Sequence, residues 1–297
     1  MTEEYKALMD AVDIEIRPED VEKAKAWRKL GDFRRMMMLI MIGTAVLSFF
    51  TSIIVIVLVF VEYAFMQAKY SKPVRKLARV HEIFNDDCDP EGWLSYYMAV
   101  SAYMGYAKGT DWGAFFYNVF NGLAEAGRFE DARKAMAVFD QYYNDETDIL
   151  EHEIMHMRLL FEEKDLEGLK AAQERLLKAK EEFGIRQGMD LACKDALCYV
   201  KMLELMNDGQ YDEFYEYVEE NYSAELSVKF YQVRQKFYLY LASVGLNDMP
   251  VAEELKVFVL NNGGTTVYKR KLEETVMIEK TPELPEAGVE EAKDQEE

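Results

Sequence analysis

His152-Glu153-Ile154-Met155-His156 is the stretch of this chain whose residue types and spacing match a known way of doing chemistry. Histidines four apart on a helix share a face, so the two imidazoles can hold a zinc ion while the glutamate between them activates its bound water for peptide hydrolysis. Two of the three histidines in the chain fall at this spacing. Such a site needs a third ligand, and no histidine follows, which leaves a carboxylate such as Glu174, Glu181 or Glu182. A peptidase of this kind also needs an edge strand beside the motif helix, and none is readable there. The expectation is therefore a structural histidine pair, no catalytic residue and no cofactor. The alternative is zinc on His152 and His156 with Glu153 as the base.

Other chemistry is absent from the text. Gly263-Gly264 is too short to cradle a phosphate and no Lys-Ser or Lys-Thr follows it; there is no G-x-S-x-G and no C-x-x-C. Three cysteines, Cys88, Cys193 and Cys198, cannot all pair, and they read as buried free thiols. The formal charge is −20, and Asn85 to Glu297 alone has 22 basic and 44 acidic residues, a net of −22. That field repels phosphate backbones and excludes nucleic acid as a partner.

Met36 to Val61 is an uncharged run of 26 residues without proline. A helix of that length is about 39 Å long against a hydrocarbon core of about 30 Å, so the run predicts a single transmembrane helix and a lipid-bilayer contact. It is too long and starts too late for a cleaved signal peptide. Basic residues flank both ends, Lys23 to Arg35 on one side and Lys69 to Lys76 on the other. The positive-inside bias favours a cytoplasmic N-terminus, with the remainder outside a cell membrane.

Around the run the chain divides into a helical arm over residues 1–35, the span 36–61, a juxtamembrane helix and linker over 62–92, a helical region over 93–278, and an acidic tail over 279–297 that predicts disorder. Strand signals are scarce. VFVLNNGGTTVYKR from Val257 reads either as a short β-hairpin around Asn261 to Gly264 or as a helix ending in a glycine cap.

Within the helical region, Phe116, Val119, Phe120 and Leu123 line one face of a first helix, and Ala132, Met136 and Phe139 one face of a second. Gly127 ends the first, Phe129 plugs the hairpin, and the small Ala132 lets the helices approach closely. Gly127, Phe129 and Ala132 in this register resemble a tetratricopeptide repeat. Weaker copies put Leu166 and Leu169 at the aromatic and alanine positions 37 residues on, and Gly209, Tyr211 and Phe214 at the three positions 45 residues further. A fourth pair runs through Phe237, Tyr240, Leu241 and Gly245. The fold expectation is all-α, with the span followed by an α-solenoid of helical hairpins.

Helical hairpins of this type stack because none buries its apolar face alone. The resemblance implies a concave groove that holds a peptide or partner protein. The functional expectation is thus a membrane-anchored interaction adaptor or scaffold without chemistry of its own, a structural subunit being a blander version. The alternative is a membrane-tethered zinc metallopeptidase.

Overall fold

The computed structural model describes residues 3–48, 61, 63–65, 80–104, 112–142, 148–185, 189–221 and 228–280. Among them every regular element is a helix: α1 (Glu3–Ala11), α2 (Pro18–Ser48), α3 (Val80–Asn85), α4 (Pro90–Met104), α5 (Trp112–Glu125), α6 (Phe129–Tyr142), α7 (Ile149–Glu163), α8 (Leu166–Phe183), α9 (Asp190–Asn207), α10 (Tyr211–Asn221), α11 (Lys229–Gly245), α12 (Met249–Asn262) and α13 (Val267–Lys280).

Four hairpins, α5/α6, α7/α8, α9/α10 and α11/α12, end their first helix in the same way. A left-handed residue follows each: Gly127 at φ 77°, Lys164 at 59°, Gly209 at 69° and Asn247 at 58°. In each turn the next N–H reaches back five residues. Arg128 bonds the Leu123 carbonyl at 2.8 Å, Asp165 that of Leu160 at 3.0 Å, Gln210 that of Leu205 at 2.9 Å and Asp248 that of Ser243 at 2.9 Å. A second bond runs from the left-handed residue to the carbonyl three before it. This double closure satisfies carbonyls that a helix end leaves without partners, and it fixes the reversal that folds the second helix onto the first.

Position five beyond the left-handed residue lies at the hairpin crossing. It is Ala132, Leu169, Phe214 and Ala252, each 0 to 1% exposed. The crossing accepts side chains of very different volume, so the four hairpins share a turn without sharing one interhelical spacing.

The two layers differ in how they are buried. The second helices present a single stripe: Leu169, Ala172, Leu176 and Ala179 in α8, Phe214 and Val218 in α10, Ala252, Leu255 and Val259 in α12. That is the pattern of a helix with one face on a core and the other in water. The first helices are covered nearly all round. In α7 the run from Ile154 to Phe161 is buried except at His156. The first helices therefore form an inner layer and the second helices an outer one, an arrangement compatible with a helical repeat.

Both ends of the chain pack onto this array. α1 lies on α6 and α2 on α4, with Tyr5 and Leu8 sharing a core with Phe115 and Phe139. At the other end α13 contacts α5, α11 and α12, and α3 contacts α11. The last helix thus returns to the first hairpin. Thr265 bonds the Cys88 carbonyl through its N–H (3.0 Å) and Asp89 through its hydroxyl (2.7 Å). Val267 packs against Gly127, where a Cβ would stand 3.2 Å from its Cγ2. Val267, Tyr268 and Leu272 are 1 to 3% exposed.

Two sequence expectations are corrected. The single spanning helix expected over Met36–Val61 is not upheld: among the described residues no helix is long and apolar enough to cross a membrane. α2 has 31 residues, but Pro18 to Arg35 carries ten charged residues and only Met36 to Ser48 is uncharged, 13 residues where a span needs about 20. Residues 49–60 of the run lie outside the described residues. The second correction concerns the β-hairpin near Asn262. Val257 to Asn262 continues α12, which Gly263 ends with its N–H on the Val259 carbonyl at 2.7 Å, and α13 begins at Val267. The helix-and-cap alternative is the one adopted, because Ala252, Leu255 and Val259 are buried at helical rather than alternating spacing. The predicted disorder of the tail falls largely on residues 281–297, outside the described residues.

Candidate functional site

His152, Glu153 and His156 all lie on α7, in the inner layer. Glu153 occupies the position that Phe116 holds in the first hairpin, where Phe116 packs edge-on against Phe139 at 5.8 Å. In the second hairpin an ion pair replaces that apolar contact. Arg175 of α8 donates Nε to one oxygen of Glu153 at 2.8 Å and Nη2 to the other at 3.0 Å, and Nη2 also lies 3.2 Å from His156 Nδ1. His152 sits 3.1 Å from Asp140 through Nε2 and 3.6 Å from Glu153 through Nδ1.

The electrostatics follow from that packing. Burial alone would raise the Glu153 carboxyl, but His152, His156 and Arg175 together outweigh it and hold the group far below the usual carboxylate range. The hydrogen bond to Glu153 raises His152 above its ordinary value, against the opposing effect of burial, and Asp140 adds to the rise. Glu153 is locked by a guanidinium and is not free to accept a proton from water. Arg175 brings a fixed positive charge to the place where the motif would put a metal ion, so this donor set does not fit zinc. Glu174, Glu181 and Glu182 are exposed on α8. Among the described residues no group of three or more histidine, cysteine or carboxylate side chains could hold a metal.

The three cysteines are buried and free. Burial raises all three thiols, Cys88 to about 11, which leaves them in the unreactive protonated form near neutral pH.

The residues that do converge were not singled out by motif. A cavity of about 390 Å³ lies on the inner face of the array, where α3, α4, α5, α7, α9 and α11 meet. Its charged lining is Glu125, Arg158, Asp195 and Arg234, each 3 to 5% exposed. Arg234 Nη2 holds Asp195 Oδ2 at 2.5 Å across α11 and α9. Arg158 lies 3.3 Å from Glu162 and 3.9 Å from Glu125, and its two Nη atoms reach the hydroxyls of Tyr238 (3.4 Å) and Tyr268 (3.5 Å). Tyr199 lies within the field of all four lining charges, and burial raises its hydroxyl above the usual tyrosine range. The apolar wall includes Phe84, Trp93, Phe120 and Phe230.

Some of these positions share a register that the turns define, whereas Asp195 and Arg234, 14 and 13 residues before Gly209 and Asn247, fall outside it. Counting ten, six and two residues back from Gly127 gives Tyr117, Asn121 and Glu125; the same count from Lys164 gives Ile154, Arg158 and Glu162. Ten back from Gly209 is Tyr199. Polar residues on that one inner stripe are the sequence signal for the cavity, readable once the turns are fixed.

The arrangement defines a class: an all-helical array of stacked hairpins with a polar, aromatic-walled lumen. The chain matches no family model, and comparison with curated proteins and with solved structures finds no match either.

Proposed function

We infer that this chain is a binding scaffold of the tetratricopeptide-like type, which docks a partner protein or peptide and performs no chemistry of its own. The observation that supports this reading is the repeated turn: four hairpins closed by the same pair of backbone bonds, stacked so that their inner helices surround one lumen. Repetition of a structural unit around a shared concave face is how such arrays create contact area.

The partner's complementary chemistry is basic. The net charge of −22 beyond residue 84 steers cationic surfaces toward the array. At about 390 Å³ the lumen itself is too small for a helix. Docking therefore takes place at its mouth, around Asn118 and Asn121.

A photo-crosslinking residue placed at Asn118 and, separately, at the exposed outer-layer position Lys178 tests this in cells. The expected result is discrete adducts from Asn118 that weaken with salt, and none of the same size from Lys178. Equal adducts from both positions, or none from either, would remove the reading.

A further inference from the structure

Four buried atoms lining the lumen have no hydrogen bond: Glu125 Oε2, Asp195 Oδ1, Arg158 Nε and Arg234 Nε. They belong to residues that are at least 95% buried. A buried charged group left with an unmade bond is costly, so several of them around one cavity point to a use for the space. Two of the atoms are acceptors that need N–H or O–H donors, and two are cationic donors that need acceptors.

The neighbours sharpen the chemistry. Arg234 is already neutralised through Asp195 Oδ2, and the Nη atoms of Arg158 are taken up by Glu162 and two tyrosine hydroxyls. Open to a hydrogen bond are therefore two carboxylate oxygens, with Glu125 Oε2 at 3.9 Å from Arg158 Nη2, and the Nε atoms of Arg158 and Arg234, close to charge balance. A lone anion would satisfy only the guanidinium nitrogens, and a lone cation only Glu125 and Asp195. Aromatic rings, Trp93 and Phe230 among them, supply an apolar wall beside the charges. A volume of about 390 Å³ lies within the range of small-ligand sites, about 300 to 1,000 Å³, and below what a folded peptide segment needs. Asn85, Asn118, Asn121 and Ala192 are partly exposed and mark the way in.

We propose that the lumen is a binding site for a small zwitterion of the α-amino-acid or dipeptide class with an apolar or aromatic side chain. Its ammonium group is received by Glu125 and Asp195, its carboxylate by Arg158, and its side chain by the aromatic wall. No bond is made or broken. The site does not depend on partner docking: the crosslinking experiment can fail while this one succeeds, and the reverse.

Isothermal titration of the full-length chain tests the proposal with L-phenylalanine, L-leucine and the dipeptide Leu-Phe as probes. Phenethylamine, which lacks the carboxylate, and 3-phenylpropionate, which lacks the ammonium group, serve as truncated analogues. The expected result is saturable binding of at least one zwitterion, with both truncated analogues about tenfold weaker or worse, as the loss of one charge-assisted bond requires. Filling the lumen with Ala192→Phe should abolish binding. Should that variant not fold, Asn121→Trp, which closes the mouth from a partly exposed position, gives the same reading. Absence of saturable binding by every zwitterion would mean a lumen that holds water only. That result, an amine or acid that binds as well as the amino acid, or binding that survives in a folded lumen-filling variant, overturns the proposal.

Discussion

Arg270 on the last helix donates Nη1 to the backbone carbonyl of Ala126 at the end of α5, a bond of 2.7 Å between residues 144 apart in sequence. Its Nη2 meets Glu91 at 2.5 Å. One side chain therefore ties the C-terminal helix to the first hairpin at a helix end, where carbonyls lack partners and the helix dipole favours a cation.

Replacing Arg270 with alanine should cost about 1 to 3 kcal/mol, the range for losing hydrogen bonds to a charged donor. Because Arg270 and Glu91 are both partly exposed, most of that loss comes from the carbonyl bond rather than the ion pair. Hydrogen exchange should show α13 opening first, before any inner helix. Uniform acceleration across all hairpins would contradict a role confined to the latch.

Lys164 carries a side chain in a conformation that three other turns give to glycine or asparagine. Lys164→Gly should stabilise the fold by roughly 1 kcal/mol, the left-handed penalty less the added flexibility of the unfolded chain. A thermal melt should record a rise of about 2 to 4 °C for a domain of this size. Gly127→Ala should do the opposite, through its φ of 77° and the close approach of Val267. Equal and null effects at both sites would mean that these turns bear no strain.

The His152, Glu153 and Arg175 cluster predicts a two-sided pH profile. His152 is raised above its ordinary value of 6.5 in the fold, so its contribution is complete below 6.5 and is lost as pH rises through the folded value. Glu153 is depressed, so its contribution is complete above 4.5 and is lost as pH falls through its low folded value. Urea midpoints measured from acid to mildly alkaline pH should show both limbs. His152→Gln should flatten the upper one and leave the lower one in place. Zinc should produce no His152-dependent rise in the melting temperature, since Arg175 already supplies the cation.

Arg234 and Asp195 form a pair in which both side chains are 6% exposed. Removing one partner strands the other charge in the lumen. Arg234→Met should therefore destabilise by about 3 to 5 kcal/mol, whereas Arg234→Met combined with Asp195→Leu should recover most of the loss. A double-mutant cycle by denaturant unfolding measures the coupling. Additive losses would show that the pair is not a unit.

How much of this was legible in the sequence depended on which residue performed each task. Gly127 with Phe129 and Gly209 with Tyr211 announced two turns, since glycine is the usual occupant of a left-handed helix end. The second turn was found through Leu166, although Lys164 holds the left-handed position. The fourth pair was traced through Gly245 without its turn residue: Gly245 is the last residue of α11 and Asn247 makes the reversal. The lumen was hidden for a different reason. On helices buried all round, charged residues such as Arg158 and Asp195 interrupt an apolar pattern without forming one of their own. His152, Glu153 and His156 present the converse case, as their spacing imitates a metal site while Arg175, 22 positions beyond Glu153, ties that glutamate to α8. Met36 to Val61 was read as a span on composition alone, whereas its first 13 residues continue α2, a helix that begins at Pro18 among charges.

The bond from Arg270 to Ala126 alters how the molecule should come apart. An open stack of helix pairs melts from its free ends, one pair at a time, and survives trimming. Here the last segment is fastened to the first pair, so neither end is free, and losing any pair undoes the contacts of both neighbours and of the clasp. Unfolding should accordingly proceed as a single all-or-none event, and shortened versions that would succeed for a modular array should fail for this one.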